Sequence, residues 1–150
     1  MKVVARNKQA FRDYEILEKY EAGIVLQGTE VKSIRQGKVQ LAEAYVRVEE
    51  GEAFLVKSHI AEYTHGSWTN HRPDRRRKLL LHRREIERVR GKTEERGLTL
   101  VPLALYLNDK GLVKLEIGLG RGKKLHDKRQ DIKKRAADLD IRRALRRGRD

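Results

Sequence analysis

The stretch Leu100-Val101-Pro102-Leu103-Ala104-Leu105-Tyr106-Leu107 runs through Asn108-Asp109-Lys110-Gly111 into Leu112-Val113-Lys114-Leu115-Glu116-Ile117-Gly118-Leu119. Its first eight residues predict a strand. Pro102 has no N–H to give to a ladder, so its end of that strand belongs at an edge or a bulge. The Asn-Asp-Lys-Gly run predicts a turn. Beyond it the chain alternates. Val113, Leu115, Ile117 and Leu119 fall on one face, and Lys114 and Glu116 on the other.

Working outward, Arg83 to Arg96 predicts a helix with Ile86, Val89 and Thr93 on one side and Gly97 as its stop. Before it stands the short apolar run Leu79-Leu80-Leu81. The segment from Ala61 to Lys78 holds Thr, Asn, Ser, Gly, His and Pro, and reads as a long loop. It ends in Arg75-Arg76-Arg77-Lys78, which is either a solvated turn or part of an anion-binding surface. Ala44-Tyr45-Val46-Arg47-Val48 and Ala53-Phe54-Leu55-Val56, around Gly51, predict a hairpin. Thr29 to Gly37 predicts a short helix, capped by Thr29 and ended by Gly37. Val31 and Ile34 share its buried side, which leaves Lys32 and Arg35 together on another side, where both can reach an anion. Tyr14-Glu15-Ile16 and Gly23-Ile24-Val25-Leu26 predict two strand cores, separated by the polar Glu18-Lys19-Tyr20-Glu21. Arg6-Asn7-Lys8 is a basic lead-in.

The expectation is a mainly β domain of five to seven short strands with two or three helices. No helix recurs between successive strands, which argues against a parallel α/β sheet. A small closed antiparallel barrel is the economical arrangement, because closure removes strand edges.

Composition turns this fold toward a polyanion. The 150 residues carry a formal charge of +14, with 39% charged residues. Nucleic acid is the leading partner. An anionic membrane surface is the rival, but the basic C-terminal segment lacks the Trp/Phe/Leu face of an interfacial helix. There is no cysteine, which excludes disulfides and thiolate zinc sites. The first residues have no apolar signal core, and no stretch reaches the roughly 20 apolar residues of a membrane span. A soluble cytoplasmic protein is expected.

The pattern changes after Gly122. From Arg121 to Asp150 thirteen Lys/Arg stand against five Asp/Glu, so this segment carries +8 of the +14. Such a run repels itself and stays solvated until a polyanion neutralises it. Leu125, Ile132 and Leu139, seven apart, make one thin apolar stripe if residues 123 to 147 become helical, a helix of about 37 Å. Lys128, Arg129, Lys133, Lys134, Arg135, Arg142 and Arg146 line its other faces.

Other constellations are weaker. Gly118, Gly120 and Gly122 give G-x-G-x-G after a strand, but a dinucleotide site needs G-x-G-x-x-G in a βαβ unit. Close backbone packing is the plainer explanation. Histidines 59, 65, 71, 82 and 126 show no H-x-x-x-H spacing and read as surface or loop residues without a metal. His126-Asp127-Lys128 could serve as an acid/base set for RNA cleavage, yet a ring that stacks on a base between phosphate-binding lysines is the simpler role.

Five motifs, in unbroken order, then resemble one family. They are Glu21-Ala22-Gly23; Gln27-Gly28-Thr29-Glu30-Val31-Lys32-Ser33 with Arg35 and Gly37; Gly51-Glu52-Ala53-Phe54; Arg77-Lys78-Leu79-Leu80-Leu81; and Gly122-Lys123-Lys124-Leu125-His126-Asp127-Lys128-Arg129. They closely resemble the SmpB family, the bacterial SsrA-binding proteins that partner transfer-messenger RNA (tmRNA). The resemblance implies an OB-fold-like barrel with helices that binds the tRNA-like domain of tmRNA at its elbow. It implies delivery of that RNA, with elongation factor Tu engaged indirectly through the alanylated RNA, to ribosomes stalled without a usable codon. It implies no chemistry by the protein itself, no cofactor, no membrane partner and a monomer.

By matching position, the implied elbow contacts are Glu21, Leu80 and His82, the last standing where the family commonly has asparagine. Asn7, Lys8, Lys32, Arg35 and Lys78 join them from charge and placement. An acid facing RNA cannot serve phosphate. Glu21 should therefore accept from base amino groups or ribose hydroxyls, or hold an arginine in place. Lys123, Lys124, His126, Asp127, Lys128 and Arg129, followed by Lys133 and Lys134, match the tail expected in the decoding region and empty mRNA path of the small subunit. Residues 1–122 are thus expected to form an OB-like RNA-binding barrel. Residues 123–150 are expected to be a basic tail, disordered alone and helical on the ribosome. A general rRNA-binding or ribosomal protein is the alternative that charge, barrel and tail would also fit.

Overall fold

The computed structural model describes residues 1–65 and 69–122. The expectations for residues 123–150 lie outside that range. The long hairpin forms as read: β8 (Leu98–Leu107) and β9 (Val113–Gly122) pair antiparallel, with the register slip between Pro102 and Ala104. The missing proline N–H is thus accommodated at a bulge. In the turn, Asn108 Oδ1 accepts from the N–H groups of Lys110 (3.0 Å) and Leu112 (2.9 Å). Leu115, Ile117 and Leu119 are buried, as the alternation requires.

The remaining elements are β1 (Lys2–Arg6), α1 (Lys8–Asp13), β2 (Tyr14–Ile24), α2 (Gly28–Arg35), β3 (Val39–Gln40), β4 (Tyr45–Glu49), β5 (Glu52–Val56), β6 (His59–Ile60), β7 (Arg77–Leu80) and α3 (Arg83–Arg96). Seven strands form one antiparallel sheet in the order β1-β8-β9-β2-β7-β5-β4, and β3 and β6 form a separate two-stranded ladder. Ala22, Ala53, Leu55, Leu79, Leu105, Leu115 and Ile117 line the concave face, with Ile34 of α2 and Val89 of α3 packed among them.

The sheet is mainly β and antiparallel, but not a closed barrel. Its edge strands β1 and β4 do not pair with each other. The sheet curls until β4 comes alongside β8, and β3 lies against β1. The separate β3–β6 ladder stands at the β1 edge, so β1 and β4 do not meet. Buried side chains of the small ladder, Val39 and Ile60 with the adjacent Leu41, fill the opening instead.

Three local expectations are corrected. Tyr14 to Ile24 is one continuous strand, because the polar Glu18–Glu21 segment keeps ladder partners on β9. The basic lead-in Arg6-Asn7-Lys8 is structured: Arg6 ends β1, which pairs with β8, Asn7 caps α1, and Lys8 opens that helix. Helix α2 is capped from Gln27, whose N–H donates to Glu30 Oε1 at 2.8 Å, not from Thr29. Helix α3 runs over the expected residues and stops at Gly97 in the left-handed conformation, φ 66°. The glycine run packs closely: a Cβ on Gly118 would lie 2.8 Å from Leu103 Cδ1 and 3.2 Å from Ile16 Cδ1.

Candidate nucleic-acid interface

The outward face of β2 and β7, with the start of α3, gathers four of the eight residues expected to meet RNA: Glu21, Lys78, Leu80 and His82. Gly23 stands opposite Leu80 in the ladder. Side chains two apart on a strand share a face, so Glu21 on β2 and Lys78 on β7 lie on this side too. Leu80 is 54% exposed, an apolar wall in a charged surface. It lies close over the sheet because its partner lacks a side chain; a Cβ on Gly23 would come within 3.2 Å of Leu80 Cβ. His82 follows Leu80 by two residues, in extended backbone, and is exposed at the start of α3. Its N–H donates to Glu85 Oε1 at 3.1 Å, which anchors the helix start.

Charges frame this wall. Lys78 is exposed, with Nζ 3.2 Å from Glu52 Oε1. The Arg76 guanidinium lies over Phe54, its Cζ 3.6 Å from the ring centroid, and reaches Glu49 at 2.6 Å. An open cleft of about 490 Å³ separates the β4–β5 turn from the start of α3, with Lys78, Leu80, Arg83 and Ile86 on its walls. Glu21 accepts a hydrogen bond from the Tyr106 hydroxyl. Among the described residues, no arginine holds it.

The other expected residues sit elsewhere. Lys32 and Arg35 are both exposed on α2, as their spacing requires. Lys32 Nζ stands 5.3 Å from the Tyr63 ring, which meets His65 edge-on at 5.4 Å. Lys8 is exposed beside Arg6 and Arg12 on a cleft of about 400 Å³ between α1 and β3. Asn7 is different. It is 4% exposed; its Nδ2 donates to the carbonyls of Leu41 (3.3 Å) and Pro102 (2.9 Å), and its Oδ1 accepts from Ala10 N–H (3.2 Å). Its amide ties α1 to β8, so it orients Lys8 from within.

The family model described as SmpB protein matches residues 4–147. The chain belongs to the SmpB family. It is 54% identical to the SsrA-binding protein of Syntrophobacter fumaroxidans over 99% of this chain and 91% of that one. It is 56% identical to the SsrA-binding protein of Mycolicibacterium smegmatis over 96% and 89%. For that of Carboxydothermus hydrogenoformans the identity is 54%, over 97% of both chains. A solved chain described as "tmRNA-SmpB: a journey to the center of the bacterial ribosome" superposes with a TM-score of 0.68 at 53% identity, covering 82% of this chain and 85% of that one.

Two of the motifs that resemble SmpB proteins meet in the interior. Glu30 and Arg77 are both 0% exposed and paired, with Nε 2.5 Å from Oε2. Arg77 also donates to Ser58 Oγ (3.0 Å) and to the carbonyls of Ser58 (3.2 Å), Arg72 (3.3 Å) and Pro73 (3.0 Å). Arg75 reaches the other Glu30 oxygen at 2.5 Å. Burial is the largest single influence on Glu30 and pushes its pKa up. The bonds from Arg75, the Gln27 N–H and Arg77 together outweigh it and hold the carboxyl below its ordinary range. The arginine run is therefore not a solvated turn: Arg77 opens β7 and locks it to α2. His71 is likewise interior, 3% exposed, with Nδ1 2.8 Å from Thr29 Oγ1 and Nε2 2.9 Å from the Ile60 carbonyl. Only a partner far along the chain makes such burial possible, and no local pattern marks it.

A second lock holds α3. Arg88 grips Glu18 of β2 with two bonds, 2.6 Å and 3.2 Å, and the Tyr20 hydroxyl donates to the same carboxylate. Hydrogen bonding to Arg88, then to Tyr20, brings the Glu18 pKa down to about 2. Together the two locks fix both ends of the Lys78–Leu80–His82 stretch.

Proposed function

We propose that this protein is a non-enzymatic RNA-binding adaptor of trans-translation. It binds the tRNA-like domain of tmRNA with the outward face of β2 and β7 and helps to bring that RNA to stalled ribosomes. The observation that supports this reading is the exposed Leu80 beside Glu21 and His82 on one face of an otherwise strongly basic protein. Non-specific polyanion binding asks for lysine and arginine alone. An apolar wall beside a carboxylate suits unstacked bases and ribose hydroxyls in a folded RNA elbow.

In this reading Lys78 neutralises phosphates beside the wall. Lys32 and Arg35, with Lys8 farther off, meet flanking backbone, and Asn7 acts from the interior. The curled sheet serves as an oligonucleotide-binding platform in the OB manner. Lys123, Lys124, His126, Asp127, Lys128, Arg129, Lys133 and Lys134 form the arm that engages the decoding region and empty mRNA path. The protein acts as a cytoplasmic monomer. Elongation factor Tu joins through the alanylated RNA, and purified protein leaves RNA intact across a wide pH range.

The test is a titration of the full chain and of residues 1–122 against the tRNA-like domain, with ordinary tRNA as competitor at several salt concentrations. Preference for the tRNA-like domain that survives truncation supports recognition by the sheet face and a separate ribosomal role for the arm. Equal binding of both RNAs, lost with the arm, overturns the adaptor reading in favour of a general rRNA binder, since such affinity rests on phosphate contacts.

A further inference from the structure

The carboxylate of Glu21 is held from a strand that its own strand does not touch. Glu21 lies on β2 and Tyr106 on β8, with β9 between them. Tyr106 stands opposite Lys114 of β9, and Glu21 stands opposite Glu116 of β9. The tyrosine ring therefore crosses β9 diagonally to place its hydroxyl on Glu21 Oε2. Donor and acceptor differ in environment: Tyr106 is 6% exposed, while Glu21 is at the surface. Burial, with the bond to Glu21 second, pushes the phenol's ionisation well above its ordinary value, so it remains a donor at physiological pH.

The bond answers a specific problem. Directly opposed like charges on one sheet face repel. Glu116 has Lys19, with Nζ 3.8 Å from its Oε1. Glu21 has the tyrosine hydroxyl, and without it the side chain would swing from Glu116 into solvent. Among the described residues, the second oxygen of Glu21 takes no hydrogen bond. One oxygen is tied to a buried ring, and the carboxylate stands at the surface two residues along β2 from Gly23, the ladder partner of Leu80.

We propose that Tyr106 is a positioning residue for RNA recognition: its hydroxyl fixes the Glu21 carboxylate so that the free oxygen meets a hydrogen-bond donor of the RNA in one orientation. This rests on the role proposed above for Glu21. Tyr106 touches no RNA; it removes the rotamer freedom that Glu21 would otherwise lose on binding.

The test is a double-mutant cycle on the full chain, measured as affinity for the tRNA-like domain. Tyr106→Phe keeps the ring and removes only the hydroxyl. It should weaken binding about tenfold, with the thermal midpoint and salt slope close to the parent's. In a Glu21→Ala background the same change should alter affinity less than twofold, because nothing remains to be positioned. If Glu21→Ala weakens binding but Tyr106→Phe does not, the inference is overturned. It is also overturned if Tyr106→Phe costs the same factor in both backgrounds, since that would be a plain structural effect. Undiminished binding by Glu21→Ala itself would remove the proposed role of Glu21, and this inference with it.

Discussion

Glu18 shows how one side chain can govern the placement of a binding face without belonging to it. It faces away from the Leu80 wall and holds α3 through Arg88. A free glutamate titrates near 4.5 and this one near 2. The folded state therefore holds the proton more weakly than the unfolded chain. Its contribution to stability is complete above about pH 4.5 and is lost as pH falls toward 2. The partners are partly solvated, so the effect is modest. Glu18→Gln should melt below the parent at neutral pH, and the gap should narrow as pH falls from about 4.5 toward 2. A gap of constant size over that range, followed by circular dichroism, would refute the assignment. Leu80 at this scale is the reverse case: exposed, unsupported by packing, and held over Gly23 for what it can touch.

At the scale of elements, β7 is the piece on which the interface depends, and the buried Glu30–Arg77 pair is what fixes it to α2. Arg77→Ala would leave Glu30 buried with one arginine fewer, a loss of about 3–5 kcal/mol. Urea unfolding measures it directly. A loss under about 1 kcal/mol would mean that β7 does not depend on the pair. Replacing both residues, as Glu30→Gln with Arg77→Met, should recover part of the loss, because no buried charge is then left unpaired.

The elements also show what a sequence can and cannot reveal. Helix α3 and the β8–β9 hairpin were legible because their apolar periods and stop signals are local. The β4–β5 hairpin was legible for the same reason, and its turn residues Glu50 and Gly51 take the positive φ values, 50° and 76°, of a two-residue hairpin turn. Strand β1 was not, since Lys2–Arg6 becomes a strand only by pairing with β8. Charge misled where burial was bought by a distant partner, as at Arg77. Closure of the sheet was expected because it would remove strand edges, yet the β3–β6 ladder takes the place beside β1, which only the fold reveals. For the candidate site, Glu21, Leu80 and His82 came from motif resemblance, and Lys32 with Arg35 from helical spacing. Tyr106 gave no signal, because a tyrosine in an apolar strand reads as core.

For the whole molecule, charge and shape have different duties. More than half of the net charge, +8 of +14, lies in the last thirty residues. On the proposed reading that arm adds affinity that falls steeply with salt and discriminates little. The curled sheet, by contrast, presents Glu21 and Leu80 on β2 and β7 with His82 at the start of α3, and the same reading assigns discrimination to them. The measurement that tests this most directly is the affinity of full-length Leu80→Ala for the tRNA-like domain against ordinary tRNA over a salt series. The account predicts that preference for the tRNA-like domain falls about tenfold or more while the salt slope for either RNA stays as in the parent. An unchanged preference, or a loss that appears only as a shallower salt slope, would contradict it.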